Sequence, residues 1–132
     1  MRVFLDTNVL VSAFTTRGLC ADVLRVVLRD HTLLTGDFNL RELRRVLRTR
    51  MDAPPPVIDA AESLLREQVV IATPDTPPRV DVRDPDDAWV LAAALNGDAD
   101  ILVTGDRDLL AVRHDTQLTI LTPREWWDRL RS

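Results

Sequence analysis

The chain has 132 residues and a mass of 14.9 kDa, with 17 basic against 21 acidic side chains and a formal net charge of -4. Every basic side chain is arginine, which excludes chemistries that run on an amine: a Walker-type phosphate lysine, a Schiff base, a Ser-Lys dyad. With 45% hydrophobic residues and no apolar run near the ~20 residues of a membrane span, the composition is that of one globular domain over residues 1–132.

The opening MRVFLDTNVLVSAF carries an aspartate and an asparagine inside its apolar stretch and lacks a small-residue cleavage site, so it does not read as a signal peptide, and the cytoplasm is the expected compartment. Val3 to Leu5 form a buried strand that stops at Asp6, and Val9 to Phe14 continue as a helix. Residues 19, 23, 24, 27 and 28 are one apolar helical face, on which the lone Cys20 is a small core residue without a disulfide partner. With only His31 and His114 there is no zinc constellation. Thr32 to Thr35 predict a second strand closed by Gly36. Leu40, Leu43, Val46 and Leu47 then predict a helix ending near Arg50, before the prolines at 54 to 56.

Val57 to Val69 predict another helix, with Pro56 in its first turn, and Val70 to Ala72 a third strand. Thr73 to Asp86, holding prolines 74, 77, 78 and 85, has loop composition. Ala88 to Leu95 predict a helix, Ile101 to Val103 a strand, Leu109 to Val112 a helical turn, Leu118 to Leu121 a strand and Pro123 to Leu130 a last helix. Strands alternating with helices imply an α/β fold of three layers, a central parallel sheet with helices on both faces. Ligands in that architecture bind beyond the carboxyl ends of the strands, where the helices also begin.

Acids gather at that edge. Asp6 ends the first strand, Asp106 follows ILV in VTGDRDLL where Gly105 permits a tight turn, Asp87 opens the helix DDAWVLAAAL, and Glu42 lies early in its helix; Asp108 is a fifth candidate. Each alone has an ordinary explanation as a turn, cap or surface-pair residue, but four arrivals at one edge make coincidence a poor account. Like charges so close raise one another's pKa unless a cation intervenes. An all-oxygen set without histidine or thiolate favours Mg²⁺ or Mn²⁺, and such ions suit in-line phosphodiester hydrolysis without a nucleophilic side chain.

FLDTNVLVSAF at 3–14, the helix LRELRRVL bearing Glu42, DPDDAWVLAAAL at 84–95 and ADILVTGDRDLL at 99–110 together resemble a PIN domain, closest to the single-domain, VapC-like toxins of bacterial toxin-antitoxin pairs. The resemblance spans essentially the whole chain and rests on the ordered set of motifs. It implies a PIN-like fold and a Mg²⁺- or Mn²⁺-dependent endoribonuclease, the toxin of a type II pair, with RNA as substrate, a cognate antitoxin as partner and a homodimer as assembly. The family's acids fall on Asp6, Glu42, Asp87 and Asp106 as catalytic residues. Asp6, Asp87 and Asp106, with Asp108 as a further acid, are the implied metal ligands, and Thr7, Asn8 and Thr104 the supporting polar positions. Relatives often open the glutamate-bearing helix with serine, whereas this chain reads TGDFNLRELRRVL, leaving Asp37 or Asn39 as the possible cap. Asp84 and Asp86 then read as loop or capping residues.

Residues 1–70 hold 10 arginines and 9 acids, residues 71–132 hold 7 and 12. Arg41, Arg45 and Arg48 fall on one helical stripe with Arg44 beside them, and their place next to Glu42 predicts contact with RNA phosphates. An acidic antitoxin segment would suit the same surface. Trp89, Trp126 and Trp127 read as core or dimer contacts instead of base-stacking residues. A receiver-type signalling module would need a lysine near its aspartate, and a haloacid-dehalogenase-type phosphatase a second aspartate two residues after Asp6. Neither is present. A PIN-like module that binds RNA or a partner without cutting is the remaining alternative.

Overall fold

The computed structural model describes residues 1–75 and 81–131. In chain order it contains β1 (Arg2–Leu5), α1 (Thr7–Thr15), α2 (Leu19–Asp30), β2 (Thr32–Gly36), α3 (Asp37–Thr49), α4 (Pro55–Arg66), β3 (Val69–Ile71), α5 (Pro85–Asn96), β4 (Ile101–Val103), α6 (Arg107–Ala111), β5 (Thr119–Leu121) and α7 (Pro123–Leu130). Part of the predicted 73–86 loop, including Pro77 and Pro78, lies outside the described residues.

The five strands form one parallel sheet in the order β3-β2-β1-β4-β5. The first strand made is therefore the central one, with Phe4 paired to Leu34 on one side and Leu102 on the other. Because side chains alternate across a strand, Val3 and Leu5 enter one core with Leu33, Ile101 and Val103 against α1 to α4 and α7. Phe4, Leu34, Leu102 and Ile120 enter a second core against α5 and α6. This is the expected three-layer α/β arrangement. Its strands point their carboxyl ends at one edge, and α1, α3, α5 and α6 start there.

Two local expectations are corrected. The helical reading to Val69 overruns: α4 ends at Arg66, and Val69, Val70 and Ile71, a β-branched run, pair as β3 with Leu34 to Gly36. Helix α3 is capped by neither Asp37 nor Asn39. Gly36 is its N-cap and Asp37 its first residue, with Glu42 in the second turn. Gly105 makes its turn without a positive φ; the turn is held by hydrogen bonds from the Asp106 amide to Thr104 Oγ1 (3.0 Å) and from the Gly105 amide to Asn8 Oδ1 (3.0 Å). Trp126 has no exposed surface and meets His31 edge-on at 5.4 Å, Trp127 packs on the same core, and Trp89 is half-buried.

Candidate metal centre and cleft

Three helices begin at the sheet edge with an aspartate as N-cap. Asp6 Oδ1 accepts from the Thr7 amide (2.7 Å), Asp84 Oδ1 from the Asp86 amide (3.0 Å) and Asp106 Oδ1 from the Asp108 amide (2.8 Å). Each cap satisfies a helix-terminal donor and places a carboxylate at the positive end of a helix dipole. Each cap occupies one carboxylate oxygen of its aspartate.

Asp6 is the most tightly held. Besides the Thr7 amide, Oδ1 accepts from Asn39 Nδ2 (3.1 Å), and Oδ2 accepts from Thr104 Oγ1 (2.7 Å) and Asn8 Nδ2 (3.2 Å). Thr7, Asn8 and Thr104, the three supporting positions of the sequence reading, thus all touch Asp6 or its neighbours. Burial pushes the Asp6 carboxyl up to about 6 despite these donors, with the charges of Asp106 and Glu42 adding to it. Asp87 is 6% exposed, and its Oδ2 has no hydrogen-bond partner among the described residues. Burial, followed by the negative charge of Asp106 and then of Asp6 and Asp84, pushes it up to about 8. Glu42 is also raised, by burial first and then by Asp86 and Asp84, against a hydrogen bond from Thr7 and the charge of Arg45.

Asp6, Glu42, Asp87 and Asp106 all line one cleft of about 480 Å³, so the four acids of the sequence reading do converge. The closest grouping differs in membership. Oxygens of Asp84, Asp87 and Asp108 lie within 4.8 Å of one another, a grouping that includes Asp108 and adds Asp84, assigned from sequence to a loop or capping role. The signal for Asp84 was its spacing: three residues apart at a helix start, Asp84 and Asp87 share a face. A buried carboxylate oxygen without a partner, beside two more carboxylates and no nitrogen or sulfur donor, fits a hard divalent cation.

The cleft also has a basic side. Arg45, at 3.7 Å from Glu42, and Arg50 line it, together with Ser12 and Thr15 of α1 and Thr16, which caps its C-terminus. Arg41 borders an adjoining hollow with Glu42 and Asp86, and Arg48 is exposed. Arg44 points elsewhere, donating to Asp59 (3.0 Å) and Glu62 (2.9 Å) of α4. Two residues carry no functional reading in the sequence: Arg50, for which periodicity offered no signal, and Asn39, whose signal was a polar residue one turn before Leu43 on the apolar stripe of α3.

Solved structures share this architecture. A chain of VapBC2 from Rickettsia felis, crystallised with a DNA fragment from their promoter, matches with a TM-score of 0.64 at 15% identity over 92% of this chain and 97% of that one. VapBC-1 from nontypeable Haemophilus influenzae gives 0.63 at 20% over 94% and 99%. VapC20 of Mycobacterium tuberculosis, a toxin that cleaves the sarcin-ricin loop, gives 0.59 at 18% over 83% and 94%. No curated protein sequence matches the chain. At such identities the solved structures share the fold, while a sequence-family model described as PIN domain matches residues 2–108, the span from β1 to the acids at the start of α6. With the fold, the ordered acids and that match in agreement, the chain belongs to the PIN domain family.

Proposed function

We propose that the protein is a Mg²⁺- or Mn²⁺-dependent endoribonuclease, the toxin of a type II toxin-antitoxin pair, acting in the cytoplasm as a homodimer and restrained by a cognate antitoxin. The observation that carries the reading is one cleft lined both by buried carboxyl groups, Asp87 with an unpartnered oxygen among the described residues, and by Arg45 and Arg50. Among the described residues no helix is long and apolar enough to cross a membrane. The solved relatives, VapBC assemblies and a toxin that cuts RNA, support the antitoxin and the substrate class by analogy.

Asp87, Asp84 and Asp108, with Asp6 and Asp106 beside them, would hold the cation. When bound, a divalent ion supplies positive charge against the scissile phosphate and the means to ionise a water at neutral pH. The rest falls to the chain's own groups. Asp6, locked by four donors, keeps its carboxylate from rotating. Glu42, raised by burial and placed on the cleft wall, is suited to accept a proton from water. Arg45 and Arg50 pair with backbone phosphates on the flank, with Arg41 and Arg48 at the rim; Arg44 is committed to α4.

Incubation of RNA with the purified chain is expected to give internal cleavage in Mn²⁺ or Mg²⁺, none in EDTA, and a loss of at least 100-fold in rate for Asp87→Asn. RNA binding together with Mn²⁺ binding but no cleavage would overturn the enzyme reading in favour of a non-cleaving PIN module.

A further inference from the structure

Helix α3 turns Leu40, Leu43 and Leu47 to the core, and position 39 lies on the same stripe. It holds an asparagine with no exposed surface. Its Nδ2 donates to Asp6 Oδ1 at 3.1 Å and to Thr7 Oγ1 at 2.9 Å, while its Oδ1 has no hydrogen-bond partner among the described residues. The amide cannot be turned over, because that would set its oxygen against a carboxylate. A buried carbonyl left unpaired works against folding, and an apolar residue would serve a core stripe better. Folding alone therefore does not account for Asn39.

Gly36 belongs to the same arrangement. Its φ of -99° is open to any residue, so backbone freedom is not its purpose. A Cβ there would lie 2.7 Å from Asn39 Oδ1, whereas its next contacts, Ala93 Cβ at 3.5 Å and Phe4 Cζ at 3.6 Å, are ordinary. The volume closed to a side chain at position 36 is the volume the Asn39 amide occupies.

The reach of this amide extends past Asp6. Thr7 Oγ1 accepts from Asn39, so its own proton is left for an acceptor in the cleft that Thr7 and Glu42 both line. Asn39 is also the donor to Asp6 that comes from α3, the helix carrying Glu42. The other donors, Thr7, Asn8 and Thr104, come from α1 and the end of β4.

We infer that Asn39 is a positioning residue of the divalent-cation site, fixing the Asp6 carboxylate and the Thr7 hydroxyl beside it, and that Gly36 is the vacancy which admits it. The inference rests on the metal-dependent reading above and is tested apart from catalysis. Mn²⁺ dissociation constants are measured on the full chain without RNA, by the electron paramagnetic resonance of free Mn²⁺. Asn39→Ala and Asn39→Leu are expected to weaken Mn²⁺ binding by about 10- to 100-fold, the usual effect of removing a group that orients a metal ligand. Asn39→Leu is included because an apolar side chain suits the stripe, and circular dichroism verifies that it folds.

Gly36→Ala is expected to weaken binding in the wild-type background and to change it by less than about twofold on Asn39→Ala, because the clash partner is gone. Wild-type Mn²⁺ affinity in both Asn39 variants, or the same loss from Gly36→Ala in both backgrounds, overturns the inference. A wild-type chain that binds Mn²⁺ but cuts no RNA refutes the nuclease reading alone, with the Asn39 effect on Mn²⁺ still standing. Failure of the wild-type chain to bind Mn²⁺ overturns both.

Discussion

Capping a helix and joining a cluster of carboxylates are not competing uses of an aspartate. Asp84 holds the start of α5 with Oδ1, and its carboxyl group still comes within 4.8 Å of oxygens on Asp87 and Asp108. Sequence reasoning treats the two roles as alternatives, because a sequence shows one residue where the structure shows two oxygens. The roles can be separated experimentally, since serine caps as well as aspartate but brings no charge. Asp84→Ser is expected to keep the melting temperature within a degree or two and to weaken Mn²⁺ binding several-fold. Asp84→Ala is expected to weaken it equally and to lose about 1 kcal/mol of stability besides. Calorimetric titration with Mn²⁺, read beside thermal melts of both variants, checks this pairing; equal Mn²⁺ affinity in wild type and Asp84→Ser would restrict Asp84 to capping. Asn39 was less legible. Its type is common at helix starts, and only its register on the stripe of Leu43 and Leu47 hinted that it pointed inward.

Among elements, α3 has two polar faces with different work. Arg44 reaches Asp59 and Glu62 on α4, and Arg66 of α4 returns to Glu62 (2.8 Å) and Asp37 (3.4 Å), a network that fastens the two helices. Glu62 is held below the usual carboxylate range, by Arg66 first and also by Arg44. Exposed pairs of this kind stabilise only weakly, so Arg44→Ala is expected to lower the melting temperature slightly and leave RNA affinity unchanged. The double variant Arg45→Gln, Arg50→Gln is expected to do the reverse. It should keep its melting temperature, bind RNA more weakly, and lose about 1.4 from the slope of log affinity against log salt, the share of two phosphate contacts on a single strand. Fluorescence anisotropy across a salt series distinguishes the two helix faces.

The order and type of the elements were readable because strands were short apolar runs and helices long periodic ones. The Val69 boundary was not readable, since Leu64, Leu65, Val69 and Val70 continue a helical spacing that only pairing with β2 interrupts. The arginine stripe was seen, but which of its members α4 would claim depended on Asp59 and Glu62, which no helical wheel of α3 contains.

At the scale of the whole molecule, the site is a cost that the fold carries. Asp6 and Asp87 have pKa values of about 6 and about 8 in the folded chain, both above the 3.8 of a free aspartate. A folded state with raised carboxyl pKa values binds more protons than the unfolded chain between these limits. Its stability is therefore full below about pH 4 as far as these two groups are concerned, and falls as pH rises through 6 and 8. For Asp6 alone the loss is roughly 3 kcal/mol, on the order of 10 °C in melting temperature. Melts in EDTA are expected to fall between pH 5 and pH 8.5, and Mn²⁺ to flatten or reverse the trend by neutralising the ionised carboxylates. A pH-independent melting temperature in EDTA would contradict the raised values.

The strand order β3-β2-β1-β4-β5 also bears on how the protein comes into being at the ribosome. The middle of the sheet is synthesised first and must wait for β4, whose neighbour Thr104 meets Asp6 from 98 residues further along the chain. Until that strand leaves the exit tunnel, β1 can pair only with β2, Asp6 lacks the Thr104 donor, and Asp87 and Asp106 cannot gather beside it. A chain cut short before β4 therefore never assembles the cleft.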